Sequence, residues 1–136
     1  MFTKAEEQFL ELYRSGIWDK PVKEEIFDGS TDWETIKDLM LAQTVIGICT
    51  NVISKLPAQL KPNQNIYFNL IMLTSNIEQA NKAMNNLLIE LFDACEKLNI
   101  KAFLLKGQAV AQCYPKPLLR QSGDIDLLFL ETGEYK

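Results

Sequence analysis

A 136-residue chain that is 47% apolar and 24% charged has the length of one ordinary domain and enough apolar side chains for a real core. A net charge of −4 with no histidine argues against a broad nucleic-acid-binding surface. Three widely spaced cysteines (Cys49, Cys95, Cys113) without histidine exclude the usual zinc sets and a CxxC redox pair.

The opening Met-Phe-Thr-Lys-Ala-Glu-Glu lacks the basic-then-apolar layout of a signal peptide, and no apolar run approaches the roughly 20 residues needed to cross a bilayer. The chain is expected to be soluble and cytoplasmic, with no membrane partner and with reduced thiols.

The first hundred residues read as a helical segment. Thr3 and Glu6 form a capping-box pattern, in which a hydroxyl and a carboxylate satisfy free amides at a helix start. Phe9, Leu10, Leu12 and Tyr13 supply its apolar stripe, and Gly16 is the expected stop. Asp19-Lys20-Pro21 suggests a short second helix, broken at Asp28-Gly29-Ser30. Thr31 and Glu34 repeat the capping pattern and open a third helix expected to reach about Leu56, apolar nearly all round at Val45–Cys49 and therefore buried. Trp18 and Trp33 are expected in the core or at the bundle edge.

Pro57 and Pro62 bound the next loop. A fourth helix is expected over about 63–98, with Ile66, Leu70, Leu73, Ile77, Ala80, Met84, Leu87, Leu91, Ala94 and Leu98 alternating spacings of four and three as a heptad seam. Ile71, Leu88, Phe92 and Cys95 widen that stripe, which favours packing in an intramolecular bundle over a two-stranded coiled coil. The asparagines Asn76, Asn81, Asn85 and Asn86 read as polar-face residues.

After Asn99 the character changes. Lys101–Lys106 reads as a short buried strand ended by Gly107, residues 108–113 as a short helix, and Tyr114-Pro115-Lys116-Pro117 as a loop enforced by its prolines. Asp124–Leu130 reads as a second strand. The fold class is thus α+β, mostly α: a helical bundle with one long helix, followed over 101–136 by the first strands of a mixed sheet.

Strand alternation points Asp124 and Asp126 the same way and sends Ile125, Leu127 and Phe129 toward a core. Two like-facing carboxylates repel unless a cation lies between them, and magnesium prefers carboxylate oxygens while keeping positions for water and phosphates. A pair of solvated aspartates at a strand end is the plainer alternative. The charge distribution bears on the choice. Residues 1–96 carry 8 basic and 14 acidic side chains, a net −6, whereas 97–123 carry five basic ones (Lys97, Lys101, Lys106, Lys116, Arg120) and no acid. Basic chain running straight into paired aspartates suits a polyphosphate held with its metal.

Leu104-Leu105-Lys106-Gly107, Tyr114-Pro115 and Arg120-Gln121-Ser122-Gly123-Asp124-Ile125-Asp126-Leu127-Leu128 resemble an uncharacterised bacterial nucleotidyltransferase family of the polymerase-β-like superfamily. Its members carry Leu-Lys-Gly where the wider superfamily has Gly-Ser, followed by an Arg-x-x-Gly-Asp-Ile-Asp strand. The resemblance implies transfer of a nucleoside monophosphate from a nucleoside triphosphate to an unknown acceptor. It implies two magnesium ions on Asp124 and Asp126, and phosphate binding by Lys106, Gly107, Arg120 and Ser122.

Each of these residues also has a structural alternative. Gly107 could serve the turn alone, Lys106 could point to solvent, Arg120 could pair with an aspartate, and Ser122 could cap the turn before Gly123. Gln108 carries no assignable role.

The superfamily takes a third carboxylate from a later strand. Glu131 and Glu134 stand too near Asp126 to be it, so 101–136 reads as the truncated start of a nucleotidyltransferase domain. A naturally short relative, or an assembly with a second copy through the sheet edge or the long helix, are the alternatives. A noncatalytic helical interaction module with a decayed site is the competing functional reading.

Overall fold

A computed structural model of the chain describes residues 1–130; Glu131 and Glu134 lie outside the described residues. Helix α1 (Lys4–Trp18) starts at the expected capping box, with Thr3 Oγ1 accepting from the Glu6 N–H and Glu6 Oε2 accepting from the Thr3 N–H. It runs past Gly16 and stops at Asp19, whose φ is 48°. The expected second helix is a single 3-10 turn at Glu24–Ile26.

The expected third helix is two helices, α2 (Trp33–Ala42) and α3 (Ile46–Ile53). The break between them is a Schellman turn: Thr44 has φ 56°, its N–H donates to Leu41 O at 3.1 Å, and the Val45 N–H donates to Met40 O at 3.0 Å. Helices usually end this way on glycine, which suits the left-handed conformation. Threonine in that place leaves no signal in the sequence. Asp32, one residue later than expected, is the N-cap of α2 and accepts from the Thr35 N–H.

Helix α4 (Gln64–Lys97) begins on an Asn63 cap and ends in a Schellman turn on Asn99, close to the expected bounds. Its buried face departs from the heptad seam. Ile66 and Leu70 are buried as expected, but farther along Asn81, Leu88 and Cys95 are buried while Leu87 and Leu98 are exposed. A straight α-helix drifts by about 20° per heptad, so a strict seven-residue line slides off the packed face. Ala80, Leu87 and Ala94 are carried away by that drift, and their neighbours at spacings of seven and eleven take over.

The core is built from α1, α2, α3 and the first half of α4: Leu12, Ile36, Met40, Cys49, Val52, Ile53 and Leu70 are all nearly solvent-free. Trp33 joins it, stacked on Phe27 at 5.7 Å, whereas Trp18 is exposed. Burial pushes the Cys49 thiol pKa up, and all three cysteines are free. No helix among the described residues is long and apolar enough to cross a membrane.

Glu11 of α1 ties the following loop to this core. It accepts two bonds from Arg14, at 2.9 and 2.6 Å, and one from the Lys23 N–H at 2.9 Å. The Arg14 hydrogen bonds hold its pKa below the ordinary 4.5, partial burial opposing them and the Lys23 amide adding to them. A carboxylate so lowered stabilises the fold fully above the ordinary value, and that contribution is lost as pH falls through the lowered one. Thermal melts of Glu11→Gln and wild type are therefore expected to differ most at neutral pH and to converge below pH 4.5. A gap that persists unchanged into acid would contradict the linkage.

Strands β1 (Lys101–Leu105) and β2 (Asp126–Leu130) pair antiparallel, with Leu105 opposite Asp126 and Lys101 opposite Leu130. The expected buried strand is covered on one side only. Ala102, Leu104 and Leu127 are half-buried on one face, whereas Phe103, Leu105, Leu128 and Leu130 are exposed on the other. Phe129, expected in a core, is also about half exposed.

Candidate active site

The turn after β1 is conformationally unusual. Lys106 has φ 54° and ψ −154°, and Gly107, the first residue of α5 (Gly107–Ala111), has φ 46°. A lysine in that region carries strain of order 1–3 kcal/mol, and such residues persist where surrounding structure over-determines them. At Gly107 the constraint is conformational: an added Cβ would lie 3.4 Å from Asp124 O, an ordinary contact, but at a φ that L side chains rarely adopt.

The proline loop and the approach to β2 fold over this turn. Arg120 Nη1 donates to Gly107 O at 3.2 Å and to Ser122 Oγ at 3.1 Å, and the guanidinium lies 5.7 Å from the Tyr114 ring. Ser122 Oγ donates to Gln108 Oε1 at 3.4 Å. Lys106 Nζ stands 3.7 Å from Asp126 Oδ2. Lys106, Gly107, Arg120, Ser122 and Asp126 are thus brought together, with the Asp124 backbone against Gly107. Asp124 precedes the strand, which begins at Asp126, so its side-chain direction does not follow from strand alternation.

Two residues that sequence reasoning passed over hold this arrangement. Asn81 on α4 is 3% exposed; its Nδ2 donates to Leu118 O at 2.7 Å and Arg120 O at 2.8 Å, and its Oδ1 accepts from Gln108 Nε2 at 3.0 Å. The signal was an amide standing four residues after Ile77 and seven before Leu88, in line with apolar positions. Gln108 pairs with Ala111 as the buried face of α5.

The loop is held from α3 as well. A Cβ at Gly47 would come within 2.5 Å of Leu119 O, so only glycine lets that helix reach the loop backbone, and Lys116 Nζ donates to Asn51 Oδ1 at 2.8 Å. Helices of the bundle therefore set the position of Arg120.

The donor set at the aspartates is oxygen only. Asp124 and Asp126 are both exposed, and the Lys106–Asp126 pair is open to solvent on both sides, worth about 0–1 kcal/mol and readily exchanged for another partner. Two carboxylates suit a hard divalent cation that completes its shell with water and phosphate oxygens. Among the described residues no group of three or more His, Cys, Asp or Glu side chains is placed to hold a metal.

The model of a family described as uncharacterised nucleotidyltransferase matches residues 29–133, well over half of the 136-residue chain. The chain belongs to that nucleotidyltransferase family. No curated protein and no solved structure matches it. The family match takes in α2, α3 and α4 together with the β1–α5–β2 unit, so the helices that hold the Arg120 loop lie inside the nucleotidyltransferase region.

Substituting Lys106 separates charge from strain at this site. Lys106→Gly removes a cation and frees the backbone, so stability is expected to hold or rise by about 0.5–1 kcal/mol. Affinity for a magnesium–triphosphate ligand is expected to fall in the same variant. Denaturant melts beside calorimetric titration check both; a large loss of stability would show that the lysine side chain supports the fold.

Proposed function

We propose that the chain is a nucleotidyltransferase, or the N-terminal part of one, that moves a nucleoside monophosphate from a nucleoside triphosphate to an acceptor hydroxyl, with Asp124 and Asp126 as the metal-binding pair. The observation that supports this reading is the convergence of Lys106, Gly107, Arg120 and Ser122 on the turn beside Asp126 in a member of a nucleotidyltransferase family.

Asp124 and Asp126 would hold magnesium, which when bound supplies charge neutralisation at the triphosphate and lowers the proton affinity of an attacking hydroxyl. The chain's own residues do the rest. Lys106, released from Asp126, reaches for phosphate oxygen. Arg120 keeps the turn and the loop in register through Gly107 O and Ser122, and its guanidinium would supply positive charge as pyrophosphate leaves. The acceptor oxygen bonds to the α-phosphorus, the bond to pyrophosphate breaks, and the hydroxyl proton passes to water.

Calorimetric titration of ATP, GTP, CTP and UTP into the protein, with and without magnesium, tests the reading. Magnesium-dependent binding of at least one triphosphate is expected, and its absence for all four would overturn it. One observation favours the competing reading of a noncatalytic interaction module: α4 exposes Phe68, Ile71, Met72, Leu87 and Ile89 to solvent. On that reading no triphosphate binds.

A further inference from the structure

Beside the proposed phosphate site runs a groove of about 320 Å³ between α4, the α2–α3 corner and the approach to β2. We infer that it is the nucleobase subsite, an inference that rests on the function proposed above.

Three features of the groove carry it. First, it is continuous with the site: Ser122 lines it, and the same Ser122 hydroxyl lies 3.1 Å from Arg120 Nη1, which in turn touches Gly107 O. A nucleotide with its phosphates at Lys106–Gly107 would pass Ser122 to place its other end there. Second, its walls are apolar, from Leu41, Leu73, Ile77 and Met84, and among the described residues none with a charge lines it. Such a lining repels phosphate or a charged acceptor and suits the flat face of a base. Third, two exposed carboxamides, Asn76 and Gln121, stand on its rim. Carboxamides pair a donor and an acceptor side by side, the pattern that base edges present. The size lies at the lower end of small-molecule sites, about 300–1,000 Å³, which suits one part of a ligand whose phosphates lie outside.

Asn81 also lines the groove, but its amide is used in holding the Leu118 and Arg120 carbonyls. Asn76 and Gln121 are therefore the recognition residues.

The test compares magnesium–ATP with magnesium–tripolyphosphate, which has the phosphates and no base, by calorimetry on the full chain. Wild type is expected to bind ATP about tenfold more tightly than tripolyphosphate. Ala80→Trp, at an exposed position lining the groove, is expected to remove that advantage and leave tripolyphosphate unchanged. Gln121→Ala, at an exposed loop position, is expected to weaken ATP alone by about three- to tenfold. Equal binding of the two ligands by wild type, or ATP binding indifferent to both substitutions, overturns the groove assignment while leaving the phosphate site standing. Binding of neither tripolyphosphate nor any of the four nucleoside triphosphates overturns the proposed function and this inference together. A concentration-dependent dimer that Ala80→Trp dissociates would assign the groove to a second copy of the chain and overturn the base subsite.

Discussion

Replacing Asp124 and Asp126 together by alanine is expected to abolish magnesium-dependent triphosphate binding, a loss of at least about a hundredfold, while leaving the fold as stable as wild type. The two halves of this expectation have separate causes. Asp126 Oδ2 stands beside Lys106 and the Asp124 backbone lies against Gly107, so removing both carboxylates takes away the hard anionic ligands proposed for a divalent cation at this turn. The fold has little stake in either residue. Both are exposed, and the one ion pair involved, Lys106–Asp126, spans 3.7 Å between solvated groups. Such pairs contribute about 0–1 kcal/mol, and removing two neighbouring like charges returns part of that. Titration with and without magnesium, beside a thermal melt, reads both at once. Undiminished magnesium-dependent binding in the double variant would remove the aspartates from the site, and a drop in melting temperature above about 5 °C would make them structural.

Asn81→Leu is expected to be the most damaging single substitution outside the hydrophobic core, at about 2–4 kcal/mol. The number and branching of side-chain heavy atoms are kept, so the loss is mainly polar, with some added bulk from the two methyl groups. Two carbonyls, of Leu118 and Arg120, lose their donor, and the Gln108 amide loses its acceptor, all in a place where Asn81 itself is 3% exposed. Each buried group left unpaired costs about 1–3 kcal/mol, moderated where the loop can move and admit water. That movement is the functional consequence, because the carbonyl released belongs to Arg120, whose guanidinium braces Gly107 and Ser122.

Triphosphate affinity is therefore expected to fall along with stability. A double-mutant cycle with Gln108→Leu separates the network from mere packing: strongly non-additive losses are expected, since both residues serve one hydrogen-bonded unit. Additive losses, or an Asn81→Leu variant as stable as wild type, would show that water replaces the amide.

Much of the local structure was legible. The Thr3 capping box, the Asn63-to-Asn99 extent of α4 and the strand–turn–helix at Lys101–Ala111 follow from signals a few residues long, whereas the grouping of Lys106, Gly107, Arg120, Ser122 and Asp126 was implied by the family resemblance. Caps, turns and prolines act on their own backbone, and the chemistry of an Asp-x-Asp pair is present in the side chains before any folding. The α2–α3 break was hidden because its left-handed residue is Thr44 and not glycine.

Which residues became buried is a different kind of question. The face that α4 presents depends on what packs against it, and a straight helix rotates a heptad line away from that partner as it proceeds. Asn81 reads as a solvent residue until α5 and the proline loop, 27 and 39 residues away in the chain, bring it a carboxamide and two carbonyls. The half-open sheet, with Phe103 and Leu128 exposed, was equally invisible, because alternation tells which side chains share a face and not whether anything covers it. The sequence by itself determined most of the elements, the family and the candidate site residues. Only the tertiary structure decided that the helical bundle, through Gly47, Asn51 and Asn81, holds the loop on which Arg120 stands, because those contacts join segments whose meeting no local signal encodes.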